Sequence, residues 1–311
     1  MSGRVIVVAG PTASGKTRLG IALARRLGGE IVSADSMQVY RGMDIGTAKA
    51  TPEERAAAVH HMIDVADPRE DYSVSRYVTE ASAVCDRLLE EGKTPILVGG
   101  TGLYIDSLLA GRAFSGRQEG DETLRRALGE EYDRVGGEAM LEQLRTFDPE
   151  RAGKLHPGDK RRIVRAIEVF RLSGKTISRH DAETRALPPR YEALRLVLSY
   201  ADRADLYARI DARVDEMLCA GLFEEVAGLL TSGLSPACTA MQAIGYKEAA
   251  RALEGEISRE EAAEQIKQNS RRYAKRQLTW FGRAQDAHWI YWEKTPDPDV
   301  ALETVSALLS T

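Results

Sequence analysis

The sequence is short of the features that mark several protein classes. Among 311 residues there are three cysteines, Cys85, Cys219 and Cys238, odd in number, widely spaced and without a C-x-x-C pair. That argues against a disulfide framework and against a cysteine zinc site, and all three are assigned to packing. No apolar run approaches the ~20 residues of a membrane span, so no membrane partner is expected. The short apolar stretch at the N-terminus is followed by no small-residue cleavage site. It runs directly into a glycine-rich turn and reads as a buried strand rather than a signal peptide. Repeats and low-complexity tracts are absent. Neither sign of charge dominates: 43 Lys and Arg against 47 Asp and Glu leave −4, which argues against a uniformly basic coat. The expected compartment is the cytoplasm and the expected state a monomer.

What is present is an ordinary globular composition, 43% hydrophobic and 29% charged, in a chain long enough for about two domains. Its charges are unevenly placed. Residues 265–283 carry Lys267, Arg271, Arg272, Lys275, Arg276 and Arg283 with no acid, and residues 158–185 are also rich in Lys and Arg. Two basic concentrations on an acidic chain suit a polyanion held at chosen places, or else two solvated helix faces.

Strand and helix patterns alternate from the start. Residues 4–9 form a β-branched run, 16–27 a helix with Leu19, Leu23 and Leu27 on one face, 30–35 a strand, 72–91 a helix and 94–98 a strand, with a further helix from about Gly102. This is the βαβ signature of a parallel sheet covered by helices. After Gly111 the pattern changes to a polar stretch over 112–122, then to helical periodicity up to about Thr184, closed by Pro188-Pro189. A strand at 194–200 and a helix at 203–219 resume the α/β pattern. The expected fold is α/β, a P-loop NTPase-like parallel sheet flanked by helices with an inserted all-helical domain. Its expected parts are a core segment over 1–113, the helical insertion over 114–192 and a return to the core over 193–311.

Gly10-Pro11-Thr12-Ala13-Ser14-Gly15-Lys16-Thr17 matches G-x-x-x-x-G-K-[ST] between a strand and a helix, the context that makes it a P-loop. Glycines let successive N–H groups point inward, the helix N-terminus adds partial positive charge, Lys16 adds a full one, and Thr17 offers a hydroxyl to Mg²⁺. The acid expected at the end of a neighbouring strand is missing, because strand 94–98 runs into Gly99-Gly100. An acid instead follows the second strand, as Asp35. Position alone leaves Asp35 three roles: magnesium ligand, general base or cap.

Further motifs follow in order: Asp35-Ser36-Met37-Gln38-Val39-Tyr40, then residues 42–49 (GMDIGTAK), His60-His61-Met62-Ile63-Asp64, Gly99-Gly100-Thr101-Gly102-Leu103-Tyr104, Arg161-Arg162-Ile163-Val164-Arg165-Ala166, Gly245-Tyr246-Lys247-Glu248 and Lys275-Arg276-Gln277-Leu278-Thr279-Trp280. On these motifs the chain resembles the bacterial tRNA dimethylallyltransferase (tRNA isopentenyltransferase) family along essentially its whole length. Eukaryotic members add a C-terminal zinc finger, which is not expected here. The resemblance implies transfer of a dimethylallyl group from dimethylallyl diphosphate to N6 of adenosine 37 of tRNA, just 3′ of the anticodon. It implies that residues Gly10 to Thr17 and Arg209 hold the diphosphate with Mg²⁺ at Thr17, that Asp35 is the base, and that Thr101 stands at the reaction centre. For Arg209 the alternative is an ion pair with Asp205 or Asp211, and for Thr101 it is helix capping. The implied tRNA contacts are Asp35, Ser36, Met37, Gln38 and Thr101; Asp159, Lys160, Arg161, Arg162 and Ile163; and Lys275, Arg276, Gln277 and Trp280. Asp159 and Lys160 stand where members of the family often carry other polar residues. Gln38 can pair with an adenine edge, and the cations near Tyr273, Trp280 and Phe281 suit loop RNA. Met37 equally suits a core gap. Trp289 and Trp292 are expected in the core, and His60 and His61 are expected to be structural. Two rival readings remain at this stage. A small-molecule kinase would use the basic 158–185 region as a lid, and a GTPase-like RNA-binding switch would need a guanine-specifying motif that is not visible.

Overall fold

The computed structural model describes residues 4–111 and 121–309. In chain order its elements are β1 (Arg4–Ala9), α1 (Lys16–Leu27), β2 (Glu30–Ser33), α2 (Pro52–Ala57), β3 (His60–His61), α3 (Val74–Glu90), β4 (Pro95–Gly99), α4 (Gly102–Leu109), α5 (Glu122–Val135), α6 (Gly137–Arg145), α7 (Pro149–Ala152), α8 (Lys160–Ser173), α9 (Ile177–Arg185), β5 (Glu192–Tyr200), α10 (Arg203–Cys219), α11 (Leu222–Thr231), α12 (Tyr246–Leu253), α13 (Arg259–Phe281), β6 (Ala287–Trp292) and α14 (Pro298–Leu309). Most of residues 112–122, read as a linker, lie outside the described residues. No helix among the described residues is long and apolar enough to cross a membrane.

The strands form one sheet in the order β3-β2-β4-β1-β5-β6, with every described pairing parallel. β1 lies between β4 and β5, which is why Val5 to Ala9 are all at most 2% exposed and read as a continuous apolar run. Ile6 and Val8 face Leu19 and Leu23 of α1 in a core that includes Leu196, Leu198, Ile290 and Trp292. Val7 and Ala9 face the other way, toward Ile105 of α4. The chain leaves β1 for β2 on one side and later places β5 on the other, so the reversal of strand order falls at β1. The crevice outside the carboxyl ends of such strands is where an open α/β sheet gathers its ligands.

Several expectations shift here. β2 ends at Ser33 rather than at residue 35, because the Asp35 carboxylate accepts the N–H groups of Met37 (2.9 Å) and Gln38 (3.4 Å) and turns the chain. His60 and His61 form the edge strand β3 beside β2, with His61 Nε2 2.6 Å from Glu30. β6 has no clear counterpart among the expected strands, because its alternation is short and half exposed. Trp292 is buried there, but Trp289 is only half-buried, stacked on the exposed Tyr291 at the sheet edge. Cys85 packs in the core, whereas Cys219 is exposed and Cys238 half-exposed.

The chain divides into two compact units, Met1–Leu109 with Arg190–Thr311, and Ala110–Pro189. The second is all-helical among its described residues and has its own core, in which Leu128, Leu144, Ile163 and Ile167 are fully buried. Ile163 therefore packs inward and is not available to RNA, in contrast to the expectation. Its neighbours Arg161 and Arg162 at the start of α8 are exposed, while Lys160 pairs with Asp133 at 2.5 Å above the Tyr132 ring. Asp159 takes the N–H of His156 (3.0 Å).

Candidate active site

The P-loop follows β1 and is shaped by backbone that few residues tolerate. Gly10 has φ 145°, and a Cβ there would stand 2.4 Å from the Leu198 carbonyl oxygen. Ala13 and Gly15 are left-handed, with φ 64° and 83°. The carbonyls of the loop are tied by donors around it. Pro11 O accepts from Ser14 Oγ (2.8 Å) and Lys16 Nζ (2.6 Å), Ala13 O from Tyr200 (3.3 Å), and Ser14 O from the Trp292 indole (2.9 Å). The N–H groups of residues 13–17 donate to no other group among the described residues. With carbonyls held away and amides free at a helix N-terminus, the loop is an anion nest.

Lys16, Thr17, Asp35, Arg209 and Arg213 line one cavity of about 1170 Å³. Burial pushes the Lys16 ammonium down to about 7, Arg213 pushes it further in the same direction, and Asp35 opposes them. Arg213 is itself lowered from its ordinary value by burial and then by Arg209. Two cations and a buried lysine without enough anion make an unsatisfied positive site. Arg209 lines it too, but its guanidinium is paired with Glu216 at 2.7 Å rather than with Asp205 or Asp211. Arg213, one helical turn on, was not foreseen. Its signal was the spacing: residues four apart on α10 share a face.

Asp35 also lines a second, smaller cavity of about 260 Å³, together with Met37, Ile244, Ile266, Tyr273 and Arg276. Thr12, Thr47, Arg213 and Met217 border both cavities as well. The carboxylate thus stands where the two spaces meet. Thr101 holds its turn: its Oγ1 accepts the Ser36 N–H at 3.0 Å. The hydroxyl thus ties the ends of β4 and β2, while the Thr101 carbonyl accepts the Tyr104 (2.9 Å) and Ile105 (3.2 Å) N–H groups at the start of α4.

Gln38 is engaged rather than free. Its Nε2 donates to the carbonyls of Thr47 (3.2 Å) and Ala48 (3.3 Å), and its Oε1 accepts from Ser33 Oγ (3.4 Å). The loop that receives it is held in turn. The Glu225 carboxylate accepts the N–H groups of Asp44, Ile45 and Gly46 and the Tyr246 hydroxyl. Buried Lys49 pairs with Asp44 (2.5 Å) and Asp64 (2.7 Å). Gly46 has no room for a Cβ, which would lie 2.4 Å from the Tyr246 ring. Motifs 42–49 and 245–248 are thereby one brace.

On α13 the expected RNA-binding residues divide. Lys275 and Arg276 are exposed, Arg276 over the Tyr273 ring, with no ion pair among the described residues. Gln277 is 5% exposed and bonded inward. Trp280 is partly exposed, its indole N–H donating to Asp106 Oδ2 at 2.8 Å.

Comparison with known proteins bears on which family the chain belongs to. The IPP transferase family model matches residues 38–285, and the isopentenyl transferase model matches residues 3–66. A tRNA dimethylallyltransferase of Geobacillus thermodenitrificans is 48% identical over 93% of this chain and 91% of its own length. Another, from Geobacter sulfurreducens, is 47% identical over 92% and 91%. Among solved structures, a full-length tRNA isopentenylpyrophosphate transferase of Bacillus halodurans superposes with TM-score 0.73 at 38% identity, covering 100% of this chain and 96% of that one. A eukaryotic dimethylallyltransferase captured acting on tRNA superposes with TM-score 0.84 at 30% identity, covering 99% and 80%. A P-loop without a strand-end acid beside it, an aspartate shared by two cavities and a match along nearly the whole sequence lead to one conclusion: the chain belongs to the IPP transferase family of prenyltransferases, whose curated members are tRNA dimethylallyltransferases.

Proposed function

We propose that this protein transfers a dimethylallyl group from dimethylallyl diphosphate to N6 of adenosine 37 of tRNA, releasing diphosphate. The observation that carries the reading is the position of Asp35 at the junction of the two cavities, with the anion nest on one side. A donor gripped by its diphosphate in the larger space would direct its C1 toward Asp35. An adenine entering from the smaller space would bring its amine to the same carboxylate. The amine nitrogen forms a bond to C1 as the C1–O bond to diphosphate breaks, and Asp35 takes the amine's proton.

An exocyclic adenine amine is a weak nucleophile, so most of the work falls on the leaving group. Lys16, Arg213 and the free amides of the loop stabilise the charge that develops on diphosphate. Arg209 would assist on release from Glu216. The donor set also fits Mg²⁺, since the Thr17 hydroxyl and the Asp35 carboxylate are hard oxygen ligands on one cavity and magnesium commonly completes its shell with phosphate and water. Bound there, the ion would neutralise diphosphate charge. Thr101 keeps the Asp35 turn in place through Ser36.

Flipping a base out of a loop costs a few kcal/mol, which contacts elsewhere on the RNA must offset. Lys275 and Arg276 on α13, and Arg161 and Arg162 at the start of α8, are the exposed cations for that purpose. Met37, half-buried on the smaller cavity, would contact the base. The test is mass spectrometry of an anticodon stem-loop incubated with protein, Mg²⁺ and dimethylallyl diphosphate. A mass gain of one dimethylallyl group on adenosine 37 is expected. Transfer of a γ-phosphate from ATP to a small acceptor, with unmodified RNA, would overturn the reading.

A further inference from the structure

Helix α13 has two working faces. Arg272 and Lys275 point to solvent and Arg276 lies over the Tyr273 ring at the smaller cavity, while Tyr273, Gln277 and Phe281, spaced four residues apart, turn inward. Within the basic segment, the inward Gln277 is unlike its neighbours. Its Oε1 accepts the Thr12 N–H of the P-loop at 2.9 Å, and its Nε2 donates to the Gly100 carbonyl at 3.0 Å. One amide end meets a donor and the other an acceptor, so the side chain has a single orientation that satisfies both. Gly100 is shaped to receive it: a Cβ there would lie 2.2 Å from Gln277 Nε2. Gly100 in turn precedes Thr101, whose hydroxyl holds the Asp35 turn through Ser36.

We propose that Gln277 is a positioning residue of the diphosphate site, fixing the P-loop through the Thr12 amide and the end of β4 through the Gly100 carbonyl, and that it does not read RNA. With Thr12 N–H drawn toward α13, the following amides of the nest are left to face the cavity. Both polar ends of Gln277 are already used and its side chain is buried, so it offers nothing to a nucleotide. The inference rests on the reading of the P-loop as a diphosphate site.

The test uses Gln277→Met, which keeps the shape and removes both bonds, and Gln277→Glu, which keeps an acceptor for Thr12 but loses the donor and adds charge beside the anion. Pyrophosphate affinity with Mg²⁺ is read by calorimetry, and stem-loop affinity by fluorescence anisotropy. Gln277→Met is expected to weaken pyrophosphate binding about tenfold, the scale of an unsatisfied buried polar group, and Gln277→Glu to weaken it more. RNA affinity stays as in wild type for both. Weaker RNA binding with pyrophosphate binding intact would overturn the proposal, as would no change in either. Gly100→Ala supplies an independent handle should Gln277→Met fail to fold. It is expected to reproduce the pyrophosphate defect by pushing Gln277 aside, and to add little in a Gln277→Ala background where its clash partner is gone. Additive effects of the two would refute the link. A wild-type protein that fails to bind pyrophosphate would sink the diphosphate reading as well, whereas variants that match a binding-competent wild type sink this inference alone.

Discussion

Lys16 offers the sharpest test of the anion nest, because the site is built to hold it poorly charged until an anion arrives. In the free protein burial, aided by Arg213, brings its ammonium down to about 7. Diphosphate bound in the nest, as proposed, would supply the missing negative charge and raise it again. The sign follows: the bound state holds the proton more tightly than the free state, so the lysine's contribution to binding is fully present below pH 7 and is lost as pH rises through it. With a free value of about 7, only about 3% of Lys16 is charged at pH 8.5, so its contribution to affinity falls by about thirtyfold between pH 6 and pH 8.5. The assay is pyrophosphate binding in the presence of Mg²⁺ across that range, expressed as the ratio of wild-type to Lys16→Met affinity. The ligand's own titration and the contribution of the backbone amides cancel in the ratio. A ratio flat from pH 6 to 8.5 would refute the argument. The same burial acts on folding with the opposite slope. Lys16 binds its proton less tightly folded than unfolded, so its destabilising effect is complete below about pH 7 and is relieved as pH rises toward its ordinary 10.5.

Three other outcomes are expected. Asp35→Asn keeps an acceptor for the Met37 and Gln38 amides while removing the carboxylate's basicity and its charge beside Lys16; turnover should fall by at least ~10²–10⁴-fold with RNA affinity unchanged, and wild-type turnover would remove Asp35 as the base. Gln substitutions at Lys275 and Arg276 should weaken RNA binding and flatten its salt dependence by ~0.7 in the log–log slope for each phosphate no longer neutralised; an unaltered slope would take this face out of the interface. Ile163→Ala should destabilise the helical unit by ~2–5 kcal/mol, because it empties part of a packed core, and denaturant unfolding with no loss of stability would contradict that placement.

The elements with a strong local pattern were legible in the residues. β1 and α1 fall where the apolar run and the three leucines put them, and the P-loop announces itself because its spacing is set by a single turn of backbone. β6 leaves little trace in the residues since only one face of it is covered, and β2 stops short of its apolar pattern because Asp35 turns the chain with its own side chain. Arg213 was hidden behind Arg209, which the same periodicity places on the same face. Helix faces and windows of charge cannot say which of two cations is drawn inward.

The parallel α/β scaffold, the anion-binding loop and the acid at the end of the second strand are all legible along the chain, since each depends on residues a few positions apart. What the remaining polar side chains do is settled by long-range packing. Gln277 meets Thr12 across 265 positions of chain, Glu225 meets the 44–46 amides across about 180, and Ile163, inside a run of cations, turns into a core. A buried polar group takes whatever partner the fold brings within 3 Å, and that partner is fixed by packing rather than by local spacing.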